Sequence, residues 1–60
     1  MNEYDNKVVE AMEQFGGDFV KQLAKLMRLA DPVNFEKLKA MFRMYWKNYE
    51  RNFIDKTHTS

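Results

Sequence analysis

The stretch ADPVNFEKLKAMFRMYWKNYERNF, Ala30 to Phe53, decides how the rest of this 60-residue chain is read. It opens as a helix start: Pro32 suits the first helical position, where no N–H is needed, and Asp31 before it can cap. Beyond it Phe35, Leu38, Phe42, Tyr45, Tyr49 and Phe53 recur at spacings of three and four, and the first five follow a heptad-like seam. One unbroken helix over 32–53 is expected, about 33 Å long at 1.5 Å per residue. Phe35, Leu38, Phe42 and Tyr45 are its expected core positions.

Upstream, Tyr4, Val8, Met12 and Phe15 share one helix face, which predicts a helix over about 3–15. Asn2 is its expected cap, and Glu3 and Asp5 suit the positive end of the helix dipole. Gly16-Gly17 supplies a stop through glycine's access to left-handed backbone, and Asp18 is expected to cap the second helix. That helix, about 18–30, carries Phe19, Leu23, Leu26, Met27 and Ala30. The apolar stripe stays in phase across the glycines, so a single long helix is the competing arrangement. Two glycines inside a helix would cost about 2 kcal/mol relative to alanine, which favours a break.

The expected fold is therefore all-α: three helices, as a bundle or helical hairpin, in one domain over 1–54 with a polar flexible tail over 55–60. A chain this short buries only about 60% of the surface its unfolded form exposes. With no cysteine and a single histidine, His58, it has neither disulfide nor metal site as a staple. Homodimerisation is the remaining support.

No apolar run approaches the roughly 20 residues of a membrane span, and the start lacks the layout of a signal peptide. A soluble, cytoplasmic protein with no membrane contact is expected. Charge is unevenly placed: residues 1–18 carry Glu3, Asp5, Glu10, Glu13 and Asp18 against Lys7. Residues 19–60 carry nine bases against Asp31, Glu36, Glu50 and Asp55. Such asymmetry can recruit an acidic partner or be satisfied within the protein.

Ser, Thr, Cys and His are confined to Thr57, His58, Thr59 and Ser60, so nucleophile–base pairs are missing from the helical part. Glu10 and Glu13 share a helix face that is read as solvated rather than as acid–base or cation-binding machinery. The glycine pair lacks the phosphate-loop and dinucleotide signatures. No enzyme, catalytic residue, metal or cofactor is expected.

Lys39, Arg43, Lys47 and Arg51 form a ridge of like charge at four-residue spacing, which destabilises an isolated helix by about 0.2–0.5 kcal/mol per pair. Solvent, the acidic first helix or phosphate would relieve it, and these four are the candidate nucleic-acid contacts. The strict aromatic stripe favours a core or protein interface instead. Two helices of about 20 Å cannot cover a third of about 33 Å. Arg43, Trp46, Lys47, Tyr49, Arg51 and Phe53 are therefore the expected interface with a second subunit or partner.

The residues Gly16-Gly17 with Phe19-Val20, Ala30-Asp31-Pro32 with Asn34-Phe35 and Leu38-Lys39, then Phe42 and Tyr45-Trp46, carry a resemblance over about 3–50 to a family of very small proteins encoded by bacteriophages and prophages. Arg43-Met44 departs from the family pattern, where a proline and an acidic residue are usual. The resemblance implies no catalytic residues. It implies a phage setting, in which small proteins act by binding and inhibiting a host protein, in the manner of anti-defence or anti-CRISPR inhibitors. The alternatives are a small nucleic-acid binder and a virion assembly or structural factor.

Overall fold

The computed structural model of the chain describes residues 1–54. The expected tail 55–60, with Thr57, His58, Thr59 and Ser60, lies outside the described residues. The fold is all-helical: α1 (Glu3–Phe15), α2 (Asp18–Leu29), α3 (Pro32–Met41), α4 (Arg43–Tyr49) and a closing π-helical turn (Glu50–Ile54). Among the described residues there is no strand.

Two helix starts are built by side-chain caps. The Asn2 side chain accepts a hydrogen bond from the Asp5 N–H at 2.7 Å, and the Asp31 carboxylate accepts one from the Asn34 N–H at 2.8 Å. Each satisfies a backbone donor that the first turn leaves over. The glycine pair works differently from the expectation. Gly16 and Gly17 are both extended, and no residue has positive φ, so left-handed backbone is not the reason for them. Gly16 is required by crowding: a Cβ there would lie 2.5 Å from both the Met12 carbonyl oxygen and Val20 Cγ1. Gly17 occupies the cap position of α2 with no side-chain bond, and Asp18 is the first helical residue rather than the cap.

The core joins Val8, Val9 and Met12 of α1 to Val20, Leu23, Ala24 and Met27 of α2, with Phe35 and Trp46 closing it from the third segment. Leu38, Phe42, Tyr49 and Ile54 pack against it, half-buried. Tyr45, expected in the core, is 42% exposed.

The larger correction concerns the third helix, which is not continuous. Phe42 leaves helical geometry at φ −110°, ψ 38°, and splits it into α3 and α4. The flanking ladder survives, since the Phe42 N–H donates to the Leu38 carbonyl at 2.9 Å and the Trp46 N–H to the Phe42 carbonyl at 3.1 Å. Phe42 thus keeps the ladder hydrogen bonds of its own N–H and carbonyl. Burying a tryptophan of some 200 Å² returns about 5 kcal/mol. The bend thus solves the mismatch of helix lengths within the chain: Trp46 turns inward to 3% exposure, its ring edge-on to Phe35 at 5.7 Å. The π-turn then carries Phe53 back onto α1, where it stacks on Phe15 at 4.6 Å.

Candidate interaction surface

The basic ridge begins with a residue turned inward. Lys39 Nζ lies 3.3 Å from the carboxylate of Asp5, the one buried charged residue among those described, and 4.9 Å from the centre of the Trp46 ring. The aromatic face and the carboxylate together hold the ammonium in place. Lys39 is therefore a strut between α3 and α1, in conflict with its expected role as a nucleic-acid contact.

Arg43, Lys47 and Arg51 do face solvent. Lys47 makes an i,i+3 ion pair with Glu50 at 3.4 Å. Glu50 also accepts a hydrogen bond from the Tyr4 hydroxyl at 2.5 Å, which ties the π-turn to the start of α1. Among the described residues no ion pair forms at Arg43 or Arg51. These three bases, with Met44 and Asn48, line an open groove of about 410 Å³ that has no carboxylate in its wall. Met44 is 86% exposed. Met44 and Asn48 lie off the aromatic seam and were not among the expected site residues. The signal for them is their position one turn apart on the same side of α4 as Arg51.

The aromatic half of the expected interface is divided. Trp46 is core and unavailable to a partner, which corrects its assignment to the surface. Tyr49 is half-buried and stacks on Phe53 at 5.5 Å, so Phe15, Phe53 and Tyr49 form a continuous stack against α1. A second aromatic group lies beside it: Phe19 of α2 meets Phe42 at 5.9 Å and Tyr45 at 5.4 Å.

The acidic first helix is partly neutralised within the chain. Arg28 of α2 donates through Nε and Nη2 to the two carboxylate oxygens of Glu13 at 2.9 and 3.0 Å, and through Nη1 to the Asn6 side-chain oxygen. This hydrogen-bonded cation holds the Glu13 carboxyl below its ordinary value and raises the Arg28 guanidinium above its own. Glu13 is accordingly an anchor between α1 and α2. Among the described residues, no three His, Cys, Asp or Glu side chains cluster as metal ligands do, and no helix is long and apolar enough to cross a membrane.

No family model matches the chain, and neither a curated protein nor a solved structure shows significant similarity to it.

Proposed function

We propose that this chain is a small non-enzymatic protein that binds an acidic surface of a protein partner through Arg43, Lys47 and Arg51, with Met44 between them. The observation that carries this reading is the groove of three outward bases around an exposed methionine, without a carboxylate in its wall. Bases on a rim steer an acidic partner and set its approach rate, while a methionine adapts to varied apolar shapes. In the phage setting implied by the resemblance, the partner is a host protein in the cytoplasm. Binding would then modulate or inhibit that protein, as an anti-defence inhibitor does. Self-association as a homodimer belongs to the same reading.

Nucleic acid is the weaker partner for this surface. Of the four-residue ladder, Lys39 is committed to Asp5, and Trp46, the largest stacking ring, is buried. A single-strand binder needs open aromatic faces beside its bases.

The experiment is affinity capture from host lysate with the full chain and with an Arg43→Glu, Arg51→Glu variant, each with and without nuclease treatment. Capture of an acidic protein that withstands nuclease and falls at least about tenfold in the variant is the expected result. Capture abolished by nuclease would assign the groove to nucleic acid. Equal capture by a folded charge-reversed variant would remove the groove from the function.

A further inference from the structure

A second interface can be read from the flank of α2 and α3–α4 that faces away from α1. On α2, Phe19, Gln22, Leu26 and Leu29 recur at spacings of three, four and three; on α3–α4, Leu38, Met41 and Tyr45 recur at three and four. The side of α1 is marked independently on each segment. Arg28 reaches α1 at Glu13, and Leu26 lies about 200° around the helix from it. Lys39 reaches α1 at Asp5, and Met41 lies about 200° around from Lys39. The two rows therefore share the flank that α1 leaves open, and the contacts of Phe19 with Phe42 and Tyr45 join them.

This flank is unlike the rest of the surface. Six of its seven positions are large and apolar or aromatic, Gln22 being the exception, and the nearest bases, Lys25 and Lys37, stand one turn before Leu29 and Met41. Leu29 is 76% and Met41 74% exposed, with Phe19, Leu26 and Tyr45 each about half exposed. The apolar area they present is on the order of 600 Å², at the upper end of the largest patch on an ordinary monomer and approaching the roughly 800 Å² per partner of a stable interface.

We propose that the occupant of this flank is a second copy of the same chain, packed across a two-fold axis so that two α2 and α3–α4 pairs form a four-helix layer. A two-fold contact lays these apolar positions on their own image, the self-complementarity that such an interface requires. Spacings of three and four on both rows are those by which helices pair side by side. A 60-residue chain without cysteine gains from such a contact the buried area its own core lacks. The proposal rests on the self-association in the proposed function and assigns it a face. Its interface differs from the expected one, because Trp46 is internal and Arg43, Lys47 and Arg51 remain outside the contact, free for another partner.

Sedimentation equilibrium of the full chain should give about twice the 7.3 kDa chain mass at micromolar concentration. Leu26→Lys and Met41→Lys alter exposed positions, so each should keep its helical circular dichroism while the dimer dissociation constant rises at least about 100-fold. Arg43→Glu, Arg51→Glu should remain a dimer, which separates this interface from the partner groove. Because the chain has no cysteine, Gln22→Cys offers a readout that needs no destabilising change. Its alkylation by a maleimide should slow at least about tenfold as the protein is concentrated from nanomolar to micromolar. A wild-type monomer at about 100 µM, or concentration-independent alkylation, would overturn the proposal. So would a dimer that survives both lysine substitutions and dissociates on charge reversal of the ridge.

Discussion

Gly16 and Gly17 are neighbours with similar backbone angles, yet the fold asks different things of them. At Gly16 a methyl group meets a backbone carbonyl and a valine on the other helix, and neither can retreat without opening the α1–α2 hairpin; at Gly17 a methyl group meets nothing. Gly16→Ala should therefore destabilise by about 2 kcal/mol or more, as overpacking does. Gly17→Ser should stabilise by about 0.5–1 kcal/mol, since serine supplies the missing cap of α2 and lowers the entropy of the unfolded chain. Urea unfolding of the two variants checks both signs. Lys39 presents a similar contrast between appearance and role. Lys39→Met keeps the stem over Trp46 but strands the buried Asp5 carboxylate, and should cost about 2–3 kcal/mol. Adding Asp5→Asn should recover part of that loss, because the amide carries no charge to strand. Independent, additive losses would show that the pair is uncoupled. For Glu13 the sign is set by its lowered folded-state value. The stability it contributes is fully present above its ordinary value of 4.5 and is lost as pH falls through the lower value of the folded protein. The urea midpoint should accordingly fall below about pH 4.5 in the wild type and fall less in Arg28→Gln. Added salt should shrink the difference, as the pair is partly exposed.

At the scale of the elements, the bend at Phe42 makes the third segment serve two purposes. α3 lays Phe35 on the core, and α4, redirected, brings Trp46 to the same place, so one linear stripe closes a short core from two directions. A kink usually comes from proline, glycine or an inserted group. Here neither Pro nor Gly is present at the break, and the residues after it provide the cause. The consequence is a reversal of ranks within the aromatic stretch. Trp46→Ala should cost about 3–5 kcal/mol and, in a chain of marginal stability, abolish cooperative unfolding. Phe42→Ala, at a half-buried position, should cost about 1–2 kcal/mol and leave a folded protein. Thermal melts monitored by circular dichroism rank the two, and the opposite order would mean that the third segment is straight in solution.

The whole molecule measures 35 × 23 × 19 Å, so its thinnest dimension is about two helix diameters. No helix in such a body is surrounded on all sides, and each must show a flank to solvent. This is why large apolar residues such as Phe15, Phe19, Leu26 and Met41 remain exposed. The same distinction between local and assembled causes governs how much of the molecule is legible in its sequence. The caps at Asn2 and Asp31, the interruption at the glycines and the inward rows through Val8, Met12, Leu23 and Met27 depend on local chemistry and helical period, and both are written residue by residue. The bend is not, because it answers a shortage of covering helix that only the assembled shape creates. Trp46 stands off the heptad positions but eleven residues after Phe35, so a straight helix would already set the two within about 20° of one another, on one face. What the break at Phe42 changes is the direction of the axis, which keeps residue 46 against the short core that Phe35 reaches. That placement makes the one tryptophan a reporter on the fold of the single chain rather than on its assembly. Its surroundings, Phe35, Lys39 and the Asp5 carboxylate that Lys39 holds, come from the first and third segments of the same chain. Unfolding monitored by Trp46 emission and by helical circular dichroism should therefore give one coincident transition, as a single cooperative unit requires. In the Leu26→Lys variant, folded emission should stay blue-shifted and resist acrylamide quenching as in the wild type, because separating two copies does not uncover a ring already buried within each. A red shift on monomerisation, with helix content intact, would place Trp46 at the subunit contact and undo the bend as the explanation for its burial.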